Sequence, residues 1–225
     1  MFNDFKWKKP RVVPSFIEGG DARLFLREFN ERANRYNNPE ALKVLSFDSE
    51  KGIVVGSNPF AVVLTNEILR TGITTATPRQ IEYFLESGLH PSMIHADTAL
   101  YLTGLDRTNS FVAESLNRQI RERGFKESVL IPLTSLDLFE EKDQLGFKLR
   151  EDAEIIRTEF LEPGTFSQLN NDGVPIRGKG NRILYANSDS GLKRYRHIGK
   201  DISVESGSLL GSSPVGKIII VKEFN

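Results

Sequence analysis

Residues 182–204 read RILYANSDSGLKRYRHIGKDISV, and they decide how the second half of this chain folds. Runs rich in β-branched and aromatic residues, Ile183 to Ala186, Leu192 to Ile198 and Ile202 to Val204, lie on either side of the turn signal NSDSG at 187–191. That texture predicts short strands rather than helices. Working outward, Val129 to Leu133, Ala153 to Leu161 and Lys217 to Phe224 read the same way, with further turns at Pro163-Gly164 and Asp172-Gly173. Half of the 18 glycines fall from Gly164 onward.

Before about residue 125 the pattern is helical. Asp21 can cap a helix to about Tyr36 with Phe25, Phe29 and Ala33 inward. Leu42 to Phe47 and Gly52 to Val55 suggest a hairpin around DSEKG. In SNPFAVVLTNEILRTG, Asn58 caps, Pro59 takes the first helical position and Gly72 closes the helix. TPRQ at 77–80 is a capping box ahead of Ile81, Phe84 and Leu85. A helix is expected after Ser92, and another from about Ser110 to Arg123 with Val112, Leu116 and Ile120 inward. The expected fold class is α+β. A mixed helix and hairpin part (1–125) precedes a glycine-rich, mostly antiparallel β part (126–225), a small open barrel or sandwich, as two domains or as the two parts of one compact domain.

Composition narrows the function. The 225 residues are 39% hydrophobic with 15 Phe, enough for a substantial core, and the net charge is zero. With no cysteine there are no disulfides, thiolate nucleophiles or cysteine metal sites. The basic start has no apolar run behind it, and no stretch approaches a membrane span. A soluble, cytoplasmic protein without a cofactor is the expectation, with no membrane partner.

Several motifs fail on chemistry. GSSPVGK at 211–217 has the glycine and lysine spacing of a phosphate-binding P-loop, but Ile218 replaces the magnesium-binding hydroxyl and a strand follows instead of a helix. SGLK at 190–193 matches the S-x-x-K of serine acyltransferases but lacks a helix to carry it. His90, His95 and Asp97 are weak metal candidates, because on a helix His95 and Asp97 point to opposite sides. FKWKKPR at 5–11 reads as an edge strand or a basic arm.

Charge is distributed unevenly. Thr134 to Gly164 carries nine acids against four bases. Residues 177–200 follow with Arg177, Lys179, Arg182, Lys193, Arg194, Arg196 and Lys200 against Asp189 alone. On a strand Lys193, Tyr195 and His197 share one face and Arg194 and Arg196 the other. The leading expectation is a binding module for nucleic acid or a phosphorylated ligand. Tyr185, Lys193, Tyr195 and His197 would stack and position, while Arg177, Lys179, Arg182, Arg194 and Arg196 hold phosphate. The alternatives are a hydrolase-like enzyme with a carboxylate-lined site between the two parts, and a structural protein that forms a homo-oligomer through its C-terminal strand.

Overall fold

The computed structural model describes residues 12–69, 72–104, 110–206 and 208–223. FKWKKPR lies outside them. In chain order the elements are β1 (Val12–Phe16), α1 (Gly19–Ala33), β2 (Ser46–Asp48), β3 (Ile53–Val55), α2 (Pro59–Ile68), β4 (Ile73–Thr75), α3 (Pro78–Glu86), β5 (His95–Thr103) and α4 (Phe111–Glu122). There follow β6 (Val129–Pro132), β7 (Leu136–Glu141), β8 (Gln144–Leu149), β9 (Ile156–Arg157), β10 (Gly164–Leu169), β11 (Pro175–Arg177), β12 (Arg182–Ala186), β13 (Gly191–Ile198), β14 (Asp201–Glu205) and β15 (Ile219–Glu223).

The fold is α+β. Eight strands in the order β11-β10-β12-β14-β13-β5-β6-β9 make a curled half-barrel, antiparallel except where β12 meets β14. Inside the curl, Tyr101, Leu130, Phe166, Leu184, Tyr195 and Val204 form one apolar cluster. On the other side β5 and β6 join α1, α2 and α4 in the principal core around Phe29, Phe60, Leu100, Leu116 and Phe147. That core draws on residues from both sides of position 125.

Local rules place the helices. The Asn58 side chain accepts from Ala61 N at 2.8 Å and Pro59 opens α2, whose residues 59–65 are all buried. Thr77 and Gln80 close the capping box of α3 reciprocally. Ser110 caps α4, and Leu116 and Ile120 face inward. Among the described residues no helix is long and apolar enough to cross a membrane.

Two expectations are corrected. The residues after Ser92 form no helix beyond a 3₁₀ turn at 91–93; HADTALYLT is β5, buried throughout except at His95. It lies between β13 and β6 with apolar clusters on both faces, and such a continuous apolar run carries no periodicity to tell strand from helix. β5 is also bulged: Arg196 faces Asp97 and Tyr195 faces Ala99, so Thr98 is the extra residue. The C-terminal strand presents no free edge. β15 pairs with β1 on one side and β4 on the other, with Ile220 bonded into both ladders. Its side chains Ile219 and Val221 face the α3 cluster, and Ile220, with Ile218 just ahead of the strand, the principal core.

Candidate functional site

The basic stretch alternates as a strand should, but it faces inward on both sides. Lys193, Tyr195 and His197 are buried toward the half-barrel interior. The Tyr195 hydroxyl donates to Gly173 O at 2.7 Å. His197 Nδ1 lies 3.2 Å from Thr98 Oγ1, and burial, reinforced by Arg182, pushes its pKa down to about 3. Lys193 Nζ donates to Asn187 O at 2.6 Å and sits over the Tyr101 and Phe160 rings, and burial lowers its pKa.

The arginines act as internal ties. Arg194 grips Asp97 with two bonds of 2.7 Å and donates to the carbonyls of Ser57, Ser208 and Gly211. Arg182 grips Glu82 at 2.6 and 2.7 Å, bonds Lys200 O and lies over Phe166. Arg196, half-buried, reaches Ser203 and Glu205. Arg177 is exposed and paired with Glu162 at 2.9 Å. Lys179 and Tyr185 are exposed. A ligand arriving at the surface therefore meets Arg177, Lys179, Tyr185 and part of Arg196. Lys193, Tyr195 and His197 cannot stack on it, nor can Arg182 and Arg194 hold its phosphates, because they are spent inside the fold.

The metal candidates also separate. His90 caps the 91–93 turn, with Nδ1 2.8 Å from Ser92 Oγ. On a strand His95 and Asp97 share a face, but Asp97 is committed to Arg194 and to Ser57, whose hydroxyl donates at 2.7 Å. Among the described residues no three His, Asp or Glu side chains group as a metal site.

The structure instead offers a cavity of about 880 Å³ between the starts of α2 and α4, the β7–β8 turn, the loop entering β13, Ser206 and the pair Leu209-Leu210. Phe60, Phe111, Leu145 and Leu192 supply its apolar lining, and Glu40, Asp143 and Asp189 stand on exposed parts of it; among the described residues no Lys or Arg lines it. Asn58 fastens two of its walls: while capping α2, its Nδ2 donates to Ala41 O at 2.7 Å and Leu210 O at 3.2 Å. Asp189 accepts from Asn187 at 2.8 Å and Ser206 at 3.1 Å. Asp143 accepts from Asn37 at 3.0 Å and Glu40 pairs with Lys43 at 3.0 Å, so each carboxylate is steered by a neighbour.

Close backbone geometry shapes the same walls. Lys142 and Asp143 form a two-residue hairpin turn with φ of 51° and 63°, a left-handed conformation that is uncommon outside glycine and that Asp tolerates better than most. Gly146 has no Cβ because one would lie 2.7 Å from the Phe139 ring and 3.2 Å from Phe111. Ser190 lines the cavity beside Leu192, while Lys193 points to the opposite face of β13, so SGLK does not assemble a Ser–Lys pair. Sequence reading missed this site: Asp143 was one acid among nine, and Asp189 stood in a turn as the lone acid of a basic stretch. Comparison with protein-family models, curated proteins and solved structures finds no match to this chain.

Proposed function

We propose that the protein binds a small molecule in the cavity lined by Phe60, Phe111, Leu145 and Leu192, and that the ligand has an apolar body and a cationic, hydrogen-bond-donating end such as an amine. The observation that carries this reading is the lining itself, apolar side chains with three carboxylates from three separate segments and no Lys or Arg among the described lining residues; Glu40 is paired with Lys43 beside the cavity, and Asp143 and Asp189 have no cation within ion-pair distance among the described residues. Its volume is within the range that encloses a drug-sized molecule. Binding rather than catalysis is the reading because the cavity's one serine–carboxylate contact, Ser206 to Asp189 at 3.1 Å, has no His or Lys beside it among the described lining residues, and Ser190 and Ser110 are bonded to no His, Asp, Glu or Lys among the described residues.

The nucleic-acid reading draws support from the exposed Arg177, Lys179 and Tyr185. It is the weaker one, because five of its nine residues are buried.

The test is a heteronuclear NMR titration with phenylalkyl amines and the carboxylic acids of the same length. At about 0.3 kcal/mol per heavy atom, a probe of roughly fourteen atoms binds near 1 mM, within reach of the method. The amines should shift resonances of Phe60, Phe111, Leu145 and Leu192, and the acids should not. Equal binding of both, or shifts that map elsewhere, would remove the proposal. A short single-stranded oligonucleotide at low salt supplies the comparison.

A further inference from the structure

A second cavity, of about 450 Å³, lies where the segment before β15 meets the start of β5 and the end of β13. Lys51, Lys217, His95 and Ser92 are its polar lining; Val55, Ile94, Ile198, Pro214 and Val215 supply much of the rest, and among the described residues no Asp or Glu lines it. We propose that this cavity binds a small organic phosphate, with the phosphate group between Lys51, Lys217 and His95 and the organic body against the apolar wall.

Three observations carry it. First, Lys217 has no carboxylate within ion-pair reach among the described residues. Its Nζ donates to Met93 O at 3.3 Å and lies over Phe16, and burial together with the nearby Lys51 lowers its pKa. Two ammonium groups thus share one cavity, and only Lys51 has an acidic partner, Asp48 at 2.7 Å. Second, His95 Nε2 is buried without a hydrogen-bond partner. Burial lowers the His95 pKa first, then Arg196, with Arg194 and Lys217 acting the same way and Asp97 opposing them. An anion would reverse that balance. Third, the cavity is several times larger than a phosphate ion, and its remaining wall is apolar, which favours an ester over the free ion.

Lys217 is the lysine of GSSPVGK, but the site is not a P-loop. Gly211 N and Gly216 N bond Ser208 O and Ser213 O, and Lys217 N bonds His95 O, so these amides are not available to cradle phosphate. Recognition rests on side chains. The inference is independent of the cavity at Phe60, because the two share no lining residue.

The experiment is calorimetry at constant ionic strength with phenyl phosphate, inorganic phosphate and benzyl alcohol, together with the His95 imidazole resonances. Phenyl phosphate should bind saturably, raise the pH at which His95 titrates and perturb Val55 and Val215. Inorganic phosphate should act on His95 more weakly, and benzyl alcohol not at all. The Lys51→Met, Lys217→Met double variant should bind at least tenfold more weakly. Ser92→Asp, at an exposed position, should abolish binding while melting like the parent. Absence of saturable phosphate binding, or undiminished affinity in both variants, would overturn the assignment.

Discussion

Asp97 and Arg194 meet in a bidentate ion pair, Oδ1 to Nε and Oδ2 to Nη2 both at 2.7 Å, with both side chains almost wholly buried. They are not cross-strand neighbours: Asp97 stands opposite Arg196, and Arg194 opposite Leu100. The extra residue at Thr98 lets the diagonal pair form. Through it β5 and β13 are tied to Ser57 and to the carbonyls of Ser208 and Gly211, next to the cavity wall at Leu209 and Leu210.

Breaking this pair one-sidedly should cost about 3–5 kcal/mol, because the partner is left as an unpaired buried charge. Urea denaturation of Asp97→Ala and of Arg194→Met should show that loss. The Asp97→Leu, Arg194→Met double variant should lose less than the sum of its two single variants. Strict additivity would mean that the two side chains do not act as a pair.

His197 should make stability fall in acid. Its pKa drops from 6.5 to about 3 in the fold, so at intermediate pH the unfolded chain binds a proton that the native one refuses. The sign follows: the contribution is whole above about pH 6.5 and is lost as pH falls toward 3, with a slope of about 1.4 kcal/mol per pH unit. His95, also lowered, acts in the same direction. Comparing the parent with His197→Leu cancels His95 and the carboxylates; the variant should lose the His197 part of the slope. Identical slopes would show that His197 is not held neutral by burial.

Asn58 carries more than an N-cap. Asn58→Ala removes the bond from Ala61 N and leaves the carbonyls of Ala41 and Leu210 without their donor, which should cost about 2–4 kcal/mol in urea denaturation. A loss of only about 1 kcal/mol would mean that the cap alone matters and the two walls stand without it.

What the sequence made legible was local chemistry. Asn58-Pro59, Thr77 to Gln80 and Ser110 each announce a helix start through groups that must be satisfied within one turn. The alternation of residues 193–197 is also local and correctly anticipated. Which side of β13 faces solvent is not local. It depends on Asp97, about 100 residues away in the chain, and on the principal core, so Lys193 and Arg194 read as a surface although they are interior. HADTALYLT was misread because burial on both faces erases the period. The turn at Lys142-Asp143 lacks the glycine that usually marks such a hairpin, and the cavity it borders is assembled from segments spread over residues 38–210.

The most direct test of the central claim is the affinity of a phenylalkyl amine for the parent and for the Glu40→Gln, Asp143→Asn, Asp189→Asn triple variant at low salt. All three positions are exposed, so the variant should stay folded, and each carboxylate should contribute about 0.2–1 kcal/mol. The triple variant should bind the amine about tenfold more weakly and lose its preference for the amine over the matching acid, with Phe60 and Phe111 still reporting the bound ring. An affinity for the amine that is unchanged in the triple variant would contradict the claim.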